Sequence, residues 1–280
     1  MTVATSCLAQ SLPETSQESP PGRDPPLVAA PAATPTTAEN ANGIDVHAAQ
    51  NPVASMISIP FQNNTYFGVG PYHKAANVLV IEPVIPFKIN SEWNLISRWI
   101  TPLIYQPKVS PSEDSKFGLG NLQPEFYFSP AQAAKVIWGI GPKIWLPTAS
   151  DSTLGLNKWG GGPAAAALTI NGPWVVGVLA NNVWAGSGSQ RLNQMTLNPF
   201  VDYNLPGGWY LVSSDVITAD WRAKSSDRWL VPLGGGVGRV FKSGSQPVNV
   251  RTQALYNVVR PDYAPSWQLQ FQIQFLFPNK

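Results

Sequence analysis

Residues 267–280 read WQLQFQIQFLFPNK. From Trp267 to Gln274 apolar residues alternate with glutamine without exception. A period of two sends successive side chains to opposite faces of an extended strand. One face then carries Trp267, Leu269, Phe271, Ile273, Phe275 and Phe277, and the other carries Gln268, Gln270, Gln272 and Gln274. A strand face bathed in bulk water is normally charged, and this one is not. Uncharged amides bond to one another without a charge to desolvate. That suits an enclosed, partly wet lumen behind a face that meets lipid.

The rest of the chain repeats this economy. Charged residues make up 12% of 280, about half the share of a typical soluble protein. No run of about 18 apolar residues occurs, so a transmembrane helix is excluded. Apolar residues are interleaved rather than clustered, which is the weak but repeated signal of a membrane β-barrel. Cys7 is alone, so no disulfide framework or cysteine metal site is expected. His47 and His73 are read as lone surface histidines, and no metal or cofactor is expected.

The first 50 residues are of a different kind. They hold seven prolines, no Phe, Trp or Tyr, and five acids against Arg23. Such a segment cannot bury enough apolar area to offset its ordering entropy and is expected to be disordered. The stretch SCLAQS (6–11) is similar to the tail of a signal peptide, although a basic region and a full apolar region are not seen before it. All aromatic residues fall after residue 50, so the folded domain is expected over 51–280.

Within that domain twelve strand-length segments are read, at 53–69, 76–89, 93–106, 117–129, 136–148, 158–170, 173–184, 194–204, 208–219, 229–241, 247–258 and 266–277. Pro83, Pro124 and Pro142 lie inside three of them, where a missing N–H weakens a ladder. The connections alternate in length. NSE (90–92), SPAQAAK (129–135), NG (171–172), LPGG (205–208) and KSGSQ (242–246) are short, and SPAQAAK could form one helical turn. PKVSPSEDSK (107–116), ASDSTLGLN (149–157), AGSGSQRLN (185–193), WRAKSSDR (221–228) and VRPDYAPS (259–266) are longer and more polar. Short turns on one side and longer loops on the other is the outer-membrane pattern, and an even strand count puts both ends of the barrel at the short-turn, periplasmic side. The expected fold is all-β: an antiparallel transmembrane β-barrel of about twelve strands, closed by pairing the last strand with the first.

Tryptophans fall near strand ends. Trp174, Trp184, Trp209, Trp229 and Trp267 are expected in the aromatic girdles, where an indole is apolar in body and still reaches water through its N–H. Parity places Glu82, Lys88, Arg98, Glu125, Lys143, Asp202, Asp215, Arg239 and Arg251 in the lumen with Gln268, Gln270, Gln272 and Gln274. Opposite charges there are expected to pair across the lumen; the functional alternative is that some line a solute path and set its selectivity.

Catalysis finds little support. A barrel lipase needs a serine with a nearby histidine base, and neither histidine has an evident serine partner. GGGVG (234–238) does not match a phosphate-binding G-x-G-x-x-G. It and WGGGPAAAA (159–167) read as barrel strands whose small side chains allow bending or close approach. The chain is not expected to be an enzyme or to bind nucleic acid.

QNPVASMISIPFQNN (50–64), VIPFKINSEWNLISRWITPLIYQP (84–107), FGLGNLQPEFYFSP (117–130), WGIGPKIWLPTAS (138–150), WGGGPAAAALTINGPWVVGVLANNVW (159–184) and FLFP (275–278) resemble a family of bacterial outer-membrane proteins. It is labelled as transporters of the MetA pathway of phenol degradation, and many members carry the name neuromedin U. The resemblance covers 51–280 in order. It implies an outer-membrane barrel that passes small, and more loosely aromatic or hydrophobic, compounds, and it supplies no catalytic residues. The expectation is a passive channel in the outer membrane of a Gram-negative bacterium, in contact with lipid, lipopolysaccharide and the barrel assembly machinery; the alternative is a non-conducting structural or adhesion barrel.

Overall fold

Alternation at strand length leaves each strand with an apolar face and two unpaired edges, and closing the sheet on itself satisfies both. The structure, a computed structural model, describes residues 46–277 except Ser55, Glu113, Ala133 and Ser189. The signal-like stretch, the Pro-rich residues up to 45 and the final PNK lie outside the described residues.

Fifteen strand segments follow in chain order: β1 (Ile57–Val69), β2 (Lys74–Ile81), β3 (Val84–Lys88), β4 (Trp93–Gln106), β5 (Lys116–Leu119), β6 (Gln123–Pro130), β7 (Val136–Trp145), β8 (Gly160–Asn171), β9 (Trp174–Ser187), β10 (Gln190–Asn204), β11 (Trp209–Ser214), β12 (Ile217–Asp220), β13 (Trp229–Ser243), β14 (Gln246–Val259) and β15 (Trp267–Phe277). Three crossings are interrupted, between β2 and β3, β5 and β6, and β11 and β12, so the segments make a closed antiparallel barrel of 12 strands. β15 returns to β1 in continuous register from Ile57↔Phe277 to Phe67↔Trp267. Its glutamines are buried and Trp267, Leu269, Phe271 and Phe275 are exposed, as the alternation of the opening sequence requires.

Each interruption has a local cause, and each is bridged. Pro83 has no N–H for the ladder. There the Glu82 N–H donates to Pro60 and the Trp99 N–H to the Pro83 carbonyl, so β1 and β4 continue past the gap. At Asp215–Val216, the Asn198 amide donates to Ser214 Oγ and the Asp215 carbonyl, both at 3.2 Å. At Gly120–Leu122 the loop 146–158 takes the place of the missing ladder. Asn121 donates to the carbonyls of Leu146 (2.6 Å) and Leu156 (2.9 Å), and the Leu122 N–H donates to Thr148 Oγ1 (2.8 Å).

Several connections differ from the sequence reading. The β9–β10 hairpin stays paired up to Ser187↔Gln190, so the expected nine-residue loop is a tight turn; the polar residues 190–193 are strand. At 171–174 the expected tight turn is present, but Asn171 pairs with Trp174 and the positive φ (56°) falls on Gly172. Pro173 cannot take positive φ, so the turn needs glycine at its first central position only. No helical turn forms among the described residues of 129–135.

Residues 46–50, which composition places in the disordered segment, form a short helix, α1 (Val46–Gln50). Val46 and Ala49 pack inside the barrel against Tyr210, Val212, Val240 and Leu276. His47 is buried rather than on the surface; His73 is exposed on a turn. A second apolar cluster, with Val53, Ile96, Tyr127, Leu168, Val175 and Phe200, lies over β4, β6 and β8–β10. Ala164 and Ala166 in this cluster leave room for the larger side chains facing them.

Candidate functional site

Four charged side chains from four neighbouring segments meet on the inner wall. Arg98 and Glu125 are direct partners between β4 and β6, and Glu125 and Lys143 are direct partners between β6 and β7. Glu82 joins them from the β2–β3 interruption. Arg98 reaches Glu82 at 2.6 Å and Glu125 at 2.8 Å, and Lys143 reaches the other oxygen of Glu125 at 2.9 Å. Tyr127 adds an O–H at 2.8 Å to Glu125, whose side chain is only 1% exposed. Two acids and two bases thus neutralise each other. They pair along the wall between adjacent strands, not across the lumen as expected, because cross-strand neighbours lie within about 5.5 Å while the far wall does not.

The wall formed by β14, β15 and β1 is different. Its inward rows are Asn249–Gln274, Arg251–Gln272–Gln62 and Gln253–Gln270–Asn64, set by register. Gln253 donates to Gln270, and Gln270 donates to Asn64 at 2.8 Å. Asn249 donates to Gln274 at 3.0 Å, and Tyr210 donates to Asn249 at 2.7 Å. Arg251 is held by Gln62 at 3.0 Å. Each amide offers a donor and an acceptor, so the ladder closes on itself with Arg251 as its one charged member.

Between these walls lie two cavities. The larger, of about 400 Å³, is lined by the charged cluster, by Asn64, Gln268, Gln270 and Asn181, and by an apolar side with Val80, Ile100, Leu179 and Val183. The smaller, of about 110 Å³, is lined by Ala49, Gln50 and Asn51 together with Asp202, Gln272 and Gln274. Glu82, Arg98 and Arg251 line both. Gln50 and Asn204 exchange two amide hydrogen bonds of 3.0 Å, which fasten α1 to the end of β10.

Three residues expected in the lumen are elsewhere. Arg239 is exposed and lies over the rings of Trp209 (5.0 Å) and Phe241 (5.9 Å). It shares the parity of the exposed Leu233 and Val237 on β13, hence the outer face. Lys88 ends β3 and is exposed, beyond the reach of either cavity. Asp215 is buried in the wall at the β11–β12 interruption, where Ser213 donates to it at 3.3 Å. Asn64, Asn181, Tyr127 and Tyr210 line or brace the site and were not singled out from sequence. Asn64 follows Gln62 by two in PFQNNTYF, so the alternation that located the glutamines of β15 also reaches it.

The outer face is apolar and bounded by aromatics. Trp174, Trp184, Trp209 and Trp267 are exposed on it; Trp229 is half-buried against Trp221 at 5.7 Å. Trp174 and Trp184 stand at opposite ends of β9. Ten residues at about 3.3 Å each, tilted by about 40°, span about 25 Å, the height of the apolar band of an outer-membrane barrel. No helix among the described residues is long and apolar enough to cross a membrane; crossing is by strands. A closed barrel with this belt places the chain in the bacterial outer membrane.

No family model matches the chain, and no curated protein matches it. Among solved structures it is similar to the COG4313 outer membrane channel from Pseudomonas putida F1, at 15% identity and a TM-score of 0.59, over 79% of this chain and 94% of that one. Weaker likenesses include outer membrane phospholipase A from Escherichia coli (12% identity, TM-score 0.42, 79% and 92%) and the CymD monoaromatic hydrocarbon channel (8% identity, TM-score 0.42, 80% and 88%). At these identities the likeness is one of fold: the chain has the barrel architecture of an outer-membrane channel.

Proposed function

We propose that the chain is a passive channel for small uncharged solutes that have both an apolar and a hydrogen-bonding part. The observation that carries this reading is the larger cavity. Its Glu82, Arg98, Glu125 and Lys143 are spent on one another and Arg251 is held by Gln62, and what remains for a solute is a row of amides facing an aliphatic wall. A cation entering it would lose hydration with no unpaired carboxylate to meet. The family resemblance, with its aromatic and hydrophobic compounds, agrees with the aliphatic side. Single-channel recording and liposome swelling test the proposal. Swelling with small phenols or neutral amides, faster than with ammonium compounds of equal size, is the expected result; no conductance and no swelling refutes it.

A second reading, a non-conducting barrel, draws on α1 and the two apolar clusters inside the barrel. Recording on the intact chain and on a variant lacking residues 46–54 separates the two, since a channel conducts with α1 in place and a barrel plugged by α1 conducts only without it. We infer transport and not catalysis: the exposed turn that holds His73 gives a nucleophile no buried base. The aromatic end of β15 is proposed as the signal that the barrel assembly machinery reads.

A further inference from the structure

The outer wall between β7 and β10 carries an apolar groove of about 900 Å³ at lipid depth, lined by Phe128, Ile140, Pro163, Ala165, Ala180 and Met195. Small residues, Gly141, Ala165 and Ala180, line it between the larger side chains. Its upper end is the Asn182↔Met195 pair, and two residues further along is Trp184↔Asn193. There a separate depression of about 300 Å³ opens at the loop side of the barrel, lined by Trp184, Arg191, Asn193 and Arg222.

The chemistry of this depression is anionic in preference. Arg191 and Arg222 are exposed, and Arg222 is held over the rim by a 2.8 Å bond to the Arg191 carbonyl. Among the described residues neither arginine forms an ion pair. Arg228 stacks on Trp221 at 5.8 Å beside them, and the Trp221 N–H donates to Asn182 at 2.9 Å, which ties the rim to the top of the groove. The rim residues 190–193 and 220–228 hold four bases (Arg191, Arg222, Lys224, Arg228) against Asp220 and Asp227, whereas loop 107–116 has two of each and loop 260–266 one of each. The positive excess of the loop side therefore gathers above the groove.

We propose that this composite surface binds a phosphorylated, multiply acylated glycolipid of the outer leaflet. Arg191 and Arg222 would take the phosphate, for which the guanidinium fork is matched, Trp184 would sit at the sugar–acyl boundary, and acyl chains would lie in the groove below. An isolated anion would use the rim and leave the groove empty. A phospholipid would fill the groove, but its home is the opposite leaflet, away from the rim. The proposal does not depend on what passes through the lumen.

The test is native mass spectrometry of the full chain in detergent micelles, titrated with bis-phosphorylated lipid A. Dephosphorylated lipid A, phosphatidylglycerol and inorganic phosphate are the comparison arms. The expected result is binding of lipid A that R191A/R222A weakens by roughly tenfold or more, with R239A unchanged because that arginine lies on the outer face away from the site. Equal binding by dephosphorylated lipid A, equal competition by phosphatidylglycerol or inorganic phosphate, or equal loss in R239A overturns it. The heat-dependent gel shift checks that each variant is folded; should the double variant fail it, the single substitutions Arg191→Gln and Arg222→Gln carry the same comparison.

Discussion

Removing the charge of Glu125 tests both the stability and the selectivity attributed to the lumen. In Glu125→Gln the Lys143 ammonium, with a side chain 6% exposed, loses its carboxylate. Arg98 keeps Glu82 at 2.6 Å, and Tyr127 keeps an acceptor. Breaking a buried pair by removing one partner costs about 3–5 kcal/mol; with Arg98 and Tyr127 still satisfied, we expect about 3 kcal/mol. Lys143→Met is milder, about 1–2 kcal/mol, since Glu125 remains bonded to Arg98. The double variant leaves neither charge stranded and should cost less than the sum by about 2 kcal/mol. The cluster's charge becomes positive in E125Q and negative in K143M, so reversal potentials in a salt gradient should shift towards anion and cation selectivity respectively. Urea unfolding in micelles, followed by tryptophan fluorescence, and planar-bilayer recording supply the measurements. A cost for E125Q below about 1 kcal/mol, or additivity within about 0.5 kcal/mol, would refute the cluster as a coupled unit.

Deleting residues 46–54 should raise single-channel conductance, since α1 and the turn after it line the smaller cavity; unchanged conductance would mean that the constriction lies elsewhere. Gly236→Ala should destabilise the barrel by about 1–3 kcal/mol, measurable in the same urea assay, because the added Cβ would meet the Thr252 carbonyl at 1.8 Å. Gly172 has open space around it, and alanine there costs only the strain of positive φ, about 1 kcal/mol. Arg239→Gln should leave ion selectivity untouched and lose only the contacts with the Trp209 and Phe241 rings, about 0.5–1 kcal/mol; a selectivity change would return Arg239 to the lumen. In loop 146–158, hydrogen bonds from Thr153, backbone first, hold the Asp151 carboxyl below the usual carboxylate range, with Lys116 adding to it. A depressed value stabilises the loop above the unfolded value and is lost as pH falls through the folded one. Proteolysis of this loop should therefore speed up only below the ordinary titration range of aspartate.

How far the sequence carries can be followed along β15. Its alternation alone assigns Gln270 and Gln272 inward and Phe271 outward, because side-chain direction in a strand is a local property with a period of two. Twelve such periods, with short and long connections in turn, determine a closed barrel, since no other arrangement at lipid depth satisfies every strand edge. The same local rule failed at Arg239, where the preceding glycines, Gly234–Gly236 and Gly238, erase the apolar parity that would have shown its face. It also left Leu276 without a reason, an apolar residue on the glutamine face and 1% exposed. Only the tertiary structure explains it: α1, more than 200 residues away in sequence, packs against Leu276, Tyr210, Val212 and Val240. Nor could parity say that Glu125 would serve Arg98 and Lys143 at once, because that depends on which strands are neighbours and in what register. Periodicity, being local, belongs to the sequence; register, strand interruptions and the segment that enters the lumen are set by contacts between distant residues, and the site is made of these.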